Sequence, residues 1–274
     1  MRRKIVLTSI NGVAAGQTAT LDLPCGGRRY FALYLIYKVT GAQATIEADL
    51  TEIRLVVNGK VQRRFSSADL NIVNATKGIA FILGMVPIIL AEPRRREIRG
   101  EEGLCWGTAD VSTFRVEIDI AAGAAAPTLT AFAEVDDVPS PLGPIMKWYK
   151  ETFTATGAQT LNVTTLSKKR GSYAAIHART ALVTRMKATV DGLDIFDVDR
   201  ATYVAMLTRR PLLAMQASNF SLLFDDSDQV TDALPMARLV GQNNLQEVAE
   251  FRLDLTCSGA GSIPLLMECV GQPD

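Results

Sequence analysis

Apolar residues recur at every second position along much of the chain. Thr18 to Leu23 puts Leu21 and Leu23 on one face. Ile53-Arg54-Leu55-Val56-Val57 and Phe114-Arg115-Val116-Glu117-Ile118-Asp119 alternate apolar with charged side chains. A period of two sends successive side chains to opposite faces, so these stretches predict half-buried strands. Asn58-Gly59 and Asp191-Gly192 predict hairpin turns, because Gly with Asn or Asp accepts the positive φ that a two-residue turn requires. Helix signals are few. Ser66-Ser67-Ala68-Asp69-Leu70 predicts a short capped helix, and Asp199 to Leu207 a second one that closes before Pro211.

Val138-Pro139-Ser140-Pro141-Leu142-Gly143-Pro144 interrupts this pattern just past the midpoint. Three prolines in six residues cannot sit inside a sheet, so 138–144 reads as a stiff linker between domains at 1–137 and 145–274. The two sides repeat each other. Phe114 to Asp119 matches Phe251 to Thr256 at a spacing of 137, and Pro127 matches Pro264 at the same spacing. The two hairpin pairs lie 133 apart, as do the helix starts Ser66 and Asp199. Gly16 before Leu21 and Leu23 resembles Gly157 before Leu161 and Val163, 141 apart, and Tyr30 echoes Tyr173 at 143. Six ordered matches near one spacing indicate a duplicated domain rather than a solenoid. Each half has the length of an eight-stranded jelly roll. The expected fold is all-β: two tandem eight-stranded jelly rolls, each with a short helix after a hairpin, and with Phe114 and Phe251 on equivalent buried positions.

Composition narrows the function. Of 274 residues, 48% are hydrophobic and 21% charged, a balance that fits a folded globular chain. The 29 basic and 29 acidic side chains cancel, and neither half carries the basic excess that neutralises phosphate, so no direct nucleic-acid contact is expected. Cys25, Cys105, Cys257 and Cys269 form no CxxC pair and His177 is the only histidine, which leaves a zinc site without its ligands and predicts buried free thiols. Thr8, Ser9 and Asn11 break the apolar run after Met1-Arg2-Arg3-Lys4, against a signal peptide, and the stretch from Gly78 to Ala91, with Pro87 inside it, is too short to span a bilayer. No nucleophile elbow, zinc-protease motif or phosphate loop occurs. The chain does not read as an enzyme.

The run Leu7-Thr8-Ser9-Ile10-Asn11-Gly12-Val13-Ala14-Ala15-Gly16 with Leu21-Asp22-Leu23-Pro24 closely resembles the start of corticovirus major capsid proteins. The resemblance continues through Val57-Asn58-Gly59-Lys60, Ala68-Asp69-Leu70, Phe114 to Pro127 and Tyr173-Ala174-Ala175-Ile176-His177. It implies a small member of the double jelly roll lineage that includes tectiviruses and adenoviruses. It further implies a major capsid protein whose homotrimers form pseudo-hexagonal capsomers in the icosahedral shell of a bacteriophage, over an internal membrane. The implied partners are neighbouring capsomers, vertex (penton) and membrane proteins and lipid headgroups. The implied location is the virion, after synthesis in the bacterial host cytoplasm. A carbohydrate-binding jelly-roll spike or lectin is the alternative reading. It needs an aromatic platform, whereas Trp106 and Trp148 stand isolated in sequence.

Four local features have candidate roles. Arg2, Arg3 and Lys4 form a basic arm suited to anionic headgroups on the inner side of a shell. Arg94-Arg95-Arg96 and Arg99, among Glu92, Glu97, Glu101 and Glu102, read as a solvated loop, a tower or inter-capsomer contact, or a phosphate-binding patch, expected at the outer end or flank. Asp225, Asp226 and Asp228 are the candidate Ca²⁺ ligands, on a loop that lacks the EF-hand spacing and is expected to be solvated and to bind the ion weakly or not at all. No other cofactor is expected. His177, within an apolar run, is expected to be a hydrogen-bonded core or interface histidine.

Overall fold

The computed structural model describes residues 1–38, 41–92, 98–210, 213–226, 232–240 and 244–274. It divides into two compact units, the first made of residues 1–74, 79–147 and 272–274, the second of 75–78 and 148–271.

The first half runs β1 (Arg3–Val6), β2 (Thr18–Leu23), β3 (Arg29–Tyr37), α1 (Gln43–Asp49), β4 (Leu50–Val57) and β5 (Lys60–Phe65). It continues with α2 (Ser67–Thr76), β6 (Met85–Ile89), α3 (Ile98–Glu102), β7 (Trp106–Gly107), β8 (Phe114–Ile120) and β9 (Leu129–Asp136). The second half runs β10 (Ile145–Ala155), β11 (Gln159–Val163), β12 (Ser172–Ala178), β13 (Val183–Val190), β14 (Leu193–Asp199) and α4 (Arg200–Leu207). β15 (Phe220–Leu223), β16 (Ala237–Val240), β17 (Asn244–Glu247), β18 (Phe251–Cys257) and β19 (Gly261–Gly271) complete it.

Both halves have the same topology. In the first, one sheet orders β1-β9-β3-β6 and the other β2-β8-β4-β5; in the second, the orders are β10-β19-β12-β15 and β11-β18-β13-β14. With the eight main strands of each half numbered along the chain, both halves read 1-8-3-6 and 2-7-4-5. That is the pairing of a jelly roll. β7, paired with β3, and the β16–β17 hairpin are additions to the eight. α2 follows the β4–β5 hairpin and α4 the β13–β14 hairpin, and the first half adds α1 and α3. α1 escapes sequence reading because it buries only Ile46 and lacks a side-chain cap, so neither an apolar stripe nor a start signal marks it.

Alternation buries one face of each strand. In β8, Phe114, Val116, Ile118 and Ile120 point inward, and in β18 Phe251, Leu253, Leu255 and Cys257 do the same. Phe114 and Phe251 are both buried at the head of the seventh main strand, as the repeat requires. Each meets an equivalent tyrosine: Tyr30 lies 5.5 Å from Phe114 and Tyr173 lies 5.2 Å from Phe251, between ring centroids. Tyr30 donates to the Pro24 carbonyl (2.7 Å) and Tyr173 to the Ser167 carbonyl (2.8 Å), each six residues upstream, which satisfies a buried hydroxyl in the same way twice.

The hairpin turns also correspond. Asn58 and Gly59 have φ of 50° and 78°, and Asp191 and Gly192 have 48° and 78°, the double positive φ of a type I′ turn. Asn58 Oδ1 accepts from the Ser112 and Thr113 N–H groups, and Asp191 Oδ1 from that of Glu250. Ser66 and Asp69 cap α2 reciprocally, and Asp199 caps α4 by accepting from the Thr202 N–H. None of the four cysteines forms a disulfide; Cys257 and Cys269 are buried, whereas Cys25 and Cys105 are only partly so. No described helix is long and apolar enough to cross a membrane.

Candidate functional site

The outer face of the 1-8-3-6 sheet is where the two jelly rolls differ. In the second roll, Ile176, Leu222 and Met267 point into the core. Their neighbours His177 on β12, Ser221 on β15 and Glu268 on β19 therefore emerge on the opposite side. All three are buried nonetheless. His177 Nδ1 lies 2.8 Å from Ser221 Oγ and its Nε2 lies 3.0 Å from Glu268 Oε1. Lys77, from the 75–78 segment that groups with this unit, donates to Glu268 Oε2 at 2.8 Å, and Thr76 Oγ1 lies 3.4 Å from Ser221 Oγ. Burial pushes the Glu268 carboxyl up, but the Lys77 ammonium and the His177 hydrogen bond outweigh it and hold the group well below the usual carboxylate range.

Serine, histidine and carboxylate in line is an arrangement shared with hydrolases, but each member here is sealed from solvent, and a nucleophile without access attacks nothing. The cluster instead satisfies polar groups on a covered sheet face. His177 is the hydrogen-bonded histidine expected from sequence. Its partners were not legible: Ser221, Glu268 and Lys77 lie 44, 91 and 100 residues away along the chain.

In the first roll the same face is open at β1 and β9, half-buried at Tyr34 on β3 and buried at Pro87 on β6. Register places Val6, Phe132, Tyr34 and Pro87 in one row across β1, β9, β3 and β6. Val6 is 72% exposed and Phe132 38%, while their neighbours Tyr34 and Glu134 are half-buried. Tyr34 donates to Glu134 Oε2 at 3.4 Å. The outer face of the other sheet is charged in both rolls: Arg54 bonds Glu52, Glu117 and Asp119, Arg115 bonds Asp22, and Arg185 bonds Asp197. Such a ladder suits water, whereas an apolar row on a sheet suits a partner.

The basic arm is not free. Arg2 pairs with Glu101 and Glu102 and stacks over the Phe31 ring at 4.1 Å. Arg3 pairs with Asp137 at 2.7 Å. Lys4 is exposed and makes no ion pair among the described residues. Because Glu101 and Glu102 belong to the charged insert, arm and insert meet. Opposite charges bring them together. Arg94, Arg95, Arg96 and Glu97 lie outside the described residues, as does Asp228.

Residues 4–136 match the family model for the viral coat protein P2 N-terminal domain, and residues 145–273 that for the viral coat protein P2 C-terminal domain. The chain belongs to the viral coat protein P2 family. Among solved structures, the major capsid protein P2 of bacteriophage PM2 is similar with a TM-score of 0.87 and 20% identity, over 100% of this chain and 98% of that one. The STIV major capsid protein follows the fold with a TM-score of 0.65 and 12% identity, over 99% and 98% of the two chains. Vp54 of PBCV-1 does so with 0.61 and 11%, over 98% and 93%. No curated protein sequence matches the chain.

For a coat protein, the remaining candidates take their place as structure. Trp106 and Trp148 are buried, so neither offers the aromatic platform that a carbohydrate-binding reading needs. Asp225 is buried and Asp226 lies 4.0 Å from Arg210. No group of three or more histidine, cysteine or acidic residues converges as a cation site among the described residues.

Proposed function

We propose that this coat protein is the major capsid protein of an icosahedral, membrane-containing bacteriophage and that three copies form one pseudo-hexagonal capsomer. The observation that carries the reading is the duplicated strand order. Two jelly rolls of one topology in each chain give six pseudo-equivalent rolls around a threefold axis, and closed cyclic symmetry is the usual solution for such a tile. Neighbouring capsomers, vertex proteins and membrane proteins of the virion are its partners. The even charge balance of both halves supports a shell separated from the genome. Light scattering on the purified chain is expected to give three times the monomer mass at micromolar concentration. A stable monomer would overturn the trimer.

Within this reading, the segment Arg2 to Lys4 is the membrane-facing candidate; Arg2 and Arg3 pair with Glu101 and Asp137, whereas Lys4, opposite Glu134 across β1 and β9, forms no ion pair among the described residues. One basic residue near an anionic surface contributes about 1 kcal/mol. Trimers carrying Lys4→Ser are therefore expected to bind anionic vesicles at low salt at least about fivefold more weakly than the parent. Equal binding by both would remove the arm from the membrane side.

A further inference from the structure

The internal repeat allows the covered sheet face of the second roll to be laid on the open face of the first. Strand register equates Tyr34 with His177, Glu134 with Glu268, Phe132 with Leu266 and Pro87 with Ser221, because Tyr34 faces Phe132 and Pro87 as His177 faces Leu266 and Ser221. Ala32 faces Glu134 as Ala175 faces Glu268. The carboxylate is thus kept in both rolls, and in both it bonds the residue on the third main strand. In the second roll Lys77 completes the site. In the first roll Lys4 faces Glu134 across β1 and β9 and Arg2 is near enough to feel its charge, but no cation among the described residues forms an ion pair with it.

The same repeat says what a completing group looks like. The helix caps Ser66 and Asp199 are equivalent, so the segment that follows α2 corresponds to the one that follows α4, and Lys77 corresponds to Arg210. Thr208, Arg209 and Arg210 are exposed, and the Arg210 guanidinium lies no nearer than 4.0 Å to the carboxylate of Asp226. α4 also presents Val204 and Met206 to solvent at 36% and 58% exposure, whereas Val73, the counterpart of Met206, is buried. The segment thus offers a guanidinium beside apolar side chains. The open face offers a carboxylate beside Val6 and Phe132. Charge and polarity are complementary, as across specific interfaces.

We infer that the face formed by Val6, Phe132, Tyr34 and Glu134 binds a second copy of this chain through the end of its α4, with Arg210 of that copy reaching Glu134 as Lys77 reaches Glu268. The inference rests on the trimer reading and gives it a contact. Each chain has one donor segment and one acceptor face, a head-to-tail arrangement that closes into a ring when the rotation permits.

The test compares the wild-type chain, Glu134→Arg, Arg210→Glu and the double variant by light scattering across concentration at low salt. Thermal melts check folding, and Glu134→Gln and Arg210→Gln serve as milder versions of any variant that fails to fold. Each single reversal is expected to raise the concentration at which trimers dissociate at least tenfold, and the double reversal to bring it back to within about threefold of wild type. Single variants that stay trimeric like the wild type, or a double variant no better than the singles, would overturn this contact while leaving the trimer intact. A wild-type chain that is monomeric throughout would instead overturn the trimer reading, and the contact with it.

Discussion

Lys77→Met is expected to destabilise the protein by about 3–5 kcal/mol, because it leaves the buried Glu268 carboxylate with His177 alone. Lys77→Arg keeps the charge and is expected to recover most of the loss. The pH dependence carries the same information. In the parent, the folded Glu268 carboxyl lies below its unfolded value, so it contributes stability above the usual carboxylate range. That stability is lost as pH falls through the folded value. Without Lys77, burial opposes ionisation with less to offset it, and the acid limb of the stability profile flattens. Urea unfolding at several pH values measures both effects. A midpoint and an acid slope unchanged from the parent would mean that the ammonium contributes nothing to holding the carboxylate.

Phe114→Ala and Phe251→Ala are each expected to cost about 3–5 kcal/mol, the range for emptying a buried aromatic site. Their similarity is the sharper expectation. Both rings open the seventh main strand of a roll and rest against a tyrosine whose hydroxyl is bonded six residues upstream. Calorimetry of the two variants would register it. A large loss in one and almost none in the other would break the equivalence of the rolls.

That equivalence was legible because its carriers are local. Asn58-Gly59 and Asp191-Gly192 signal a turn through backbone conformation alone, and Phe114 to Asp119 signals a strand through alternation alone. The drift of the repeat also has a local cause. Its spacing falls from 143 at Tyr30 to 133 at the hairpins because 12 residues, including α1, connect β3 to β4, whereas 4 connect β12 to β13. Those 8 extra residues account for most of the change.

What sequence did not disclose is what lies across strands. Nothing near His177 announces Glu268 or Lys77, since their encounter depends on register between β12 and β19 and on where α2 ends. The pairing of the basic arm was hidden for the same reason. Arg2-Arg3-Lys4 reads as uncompensated charge until Glu101, Glu102 and Asp137 are brought beside it. Composition reports how many charges a chain has. Folding decides which of them remain for a partner.

The divergence of Tyr34 from His177 and of Pro87 from Ser221, around a retained glutamate, bears on how such a shell can evolve. Were the proposed tile built from six identical single rolls, every substitution on the outer sheet face would appear at all six positions, and a change that helped one neighbour would be imposed on the rest. Fusing two rolls in one gene separates the copies. The face at Glu268 is closed within the chain and is free to drift toward a dry, fixed hydrogen-bond network. As the proposed contact surface, the face at Glu134 stays available to be tuned for reversible contact, so a lineage can alter how its tiles assemble without rewriting how each chain folds.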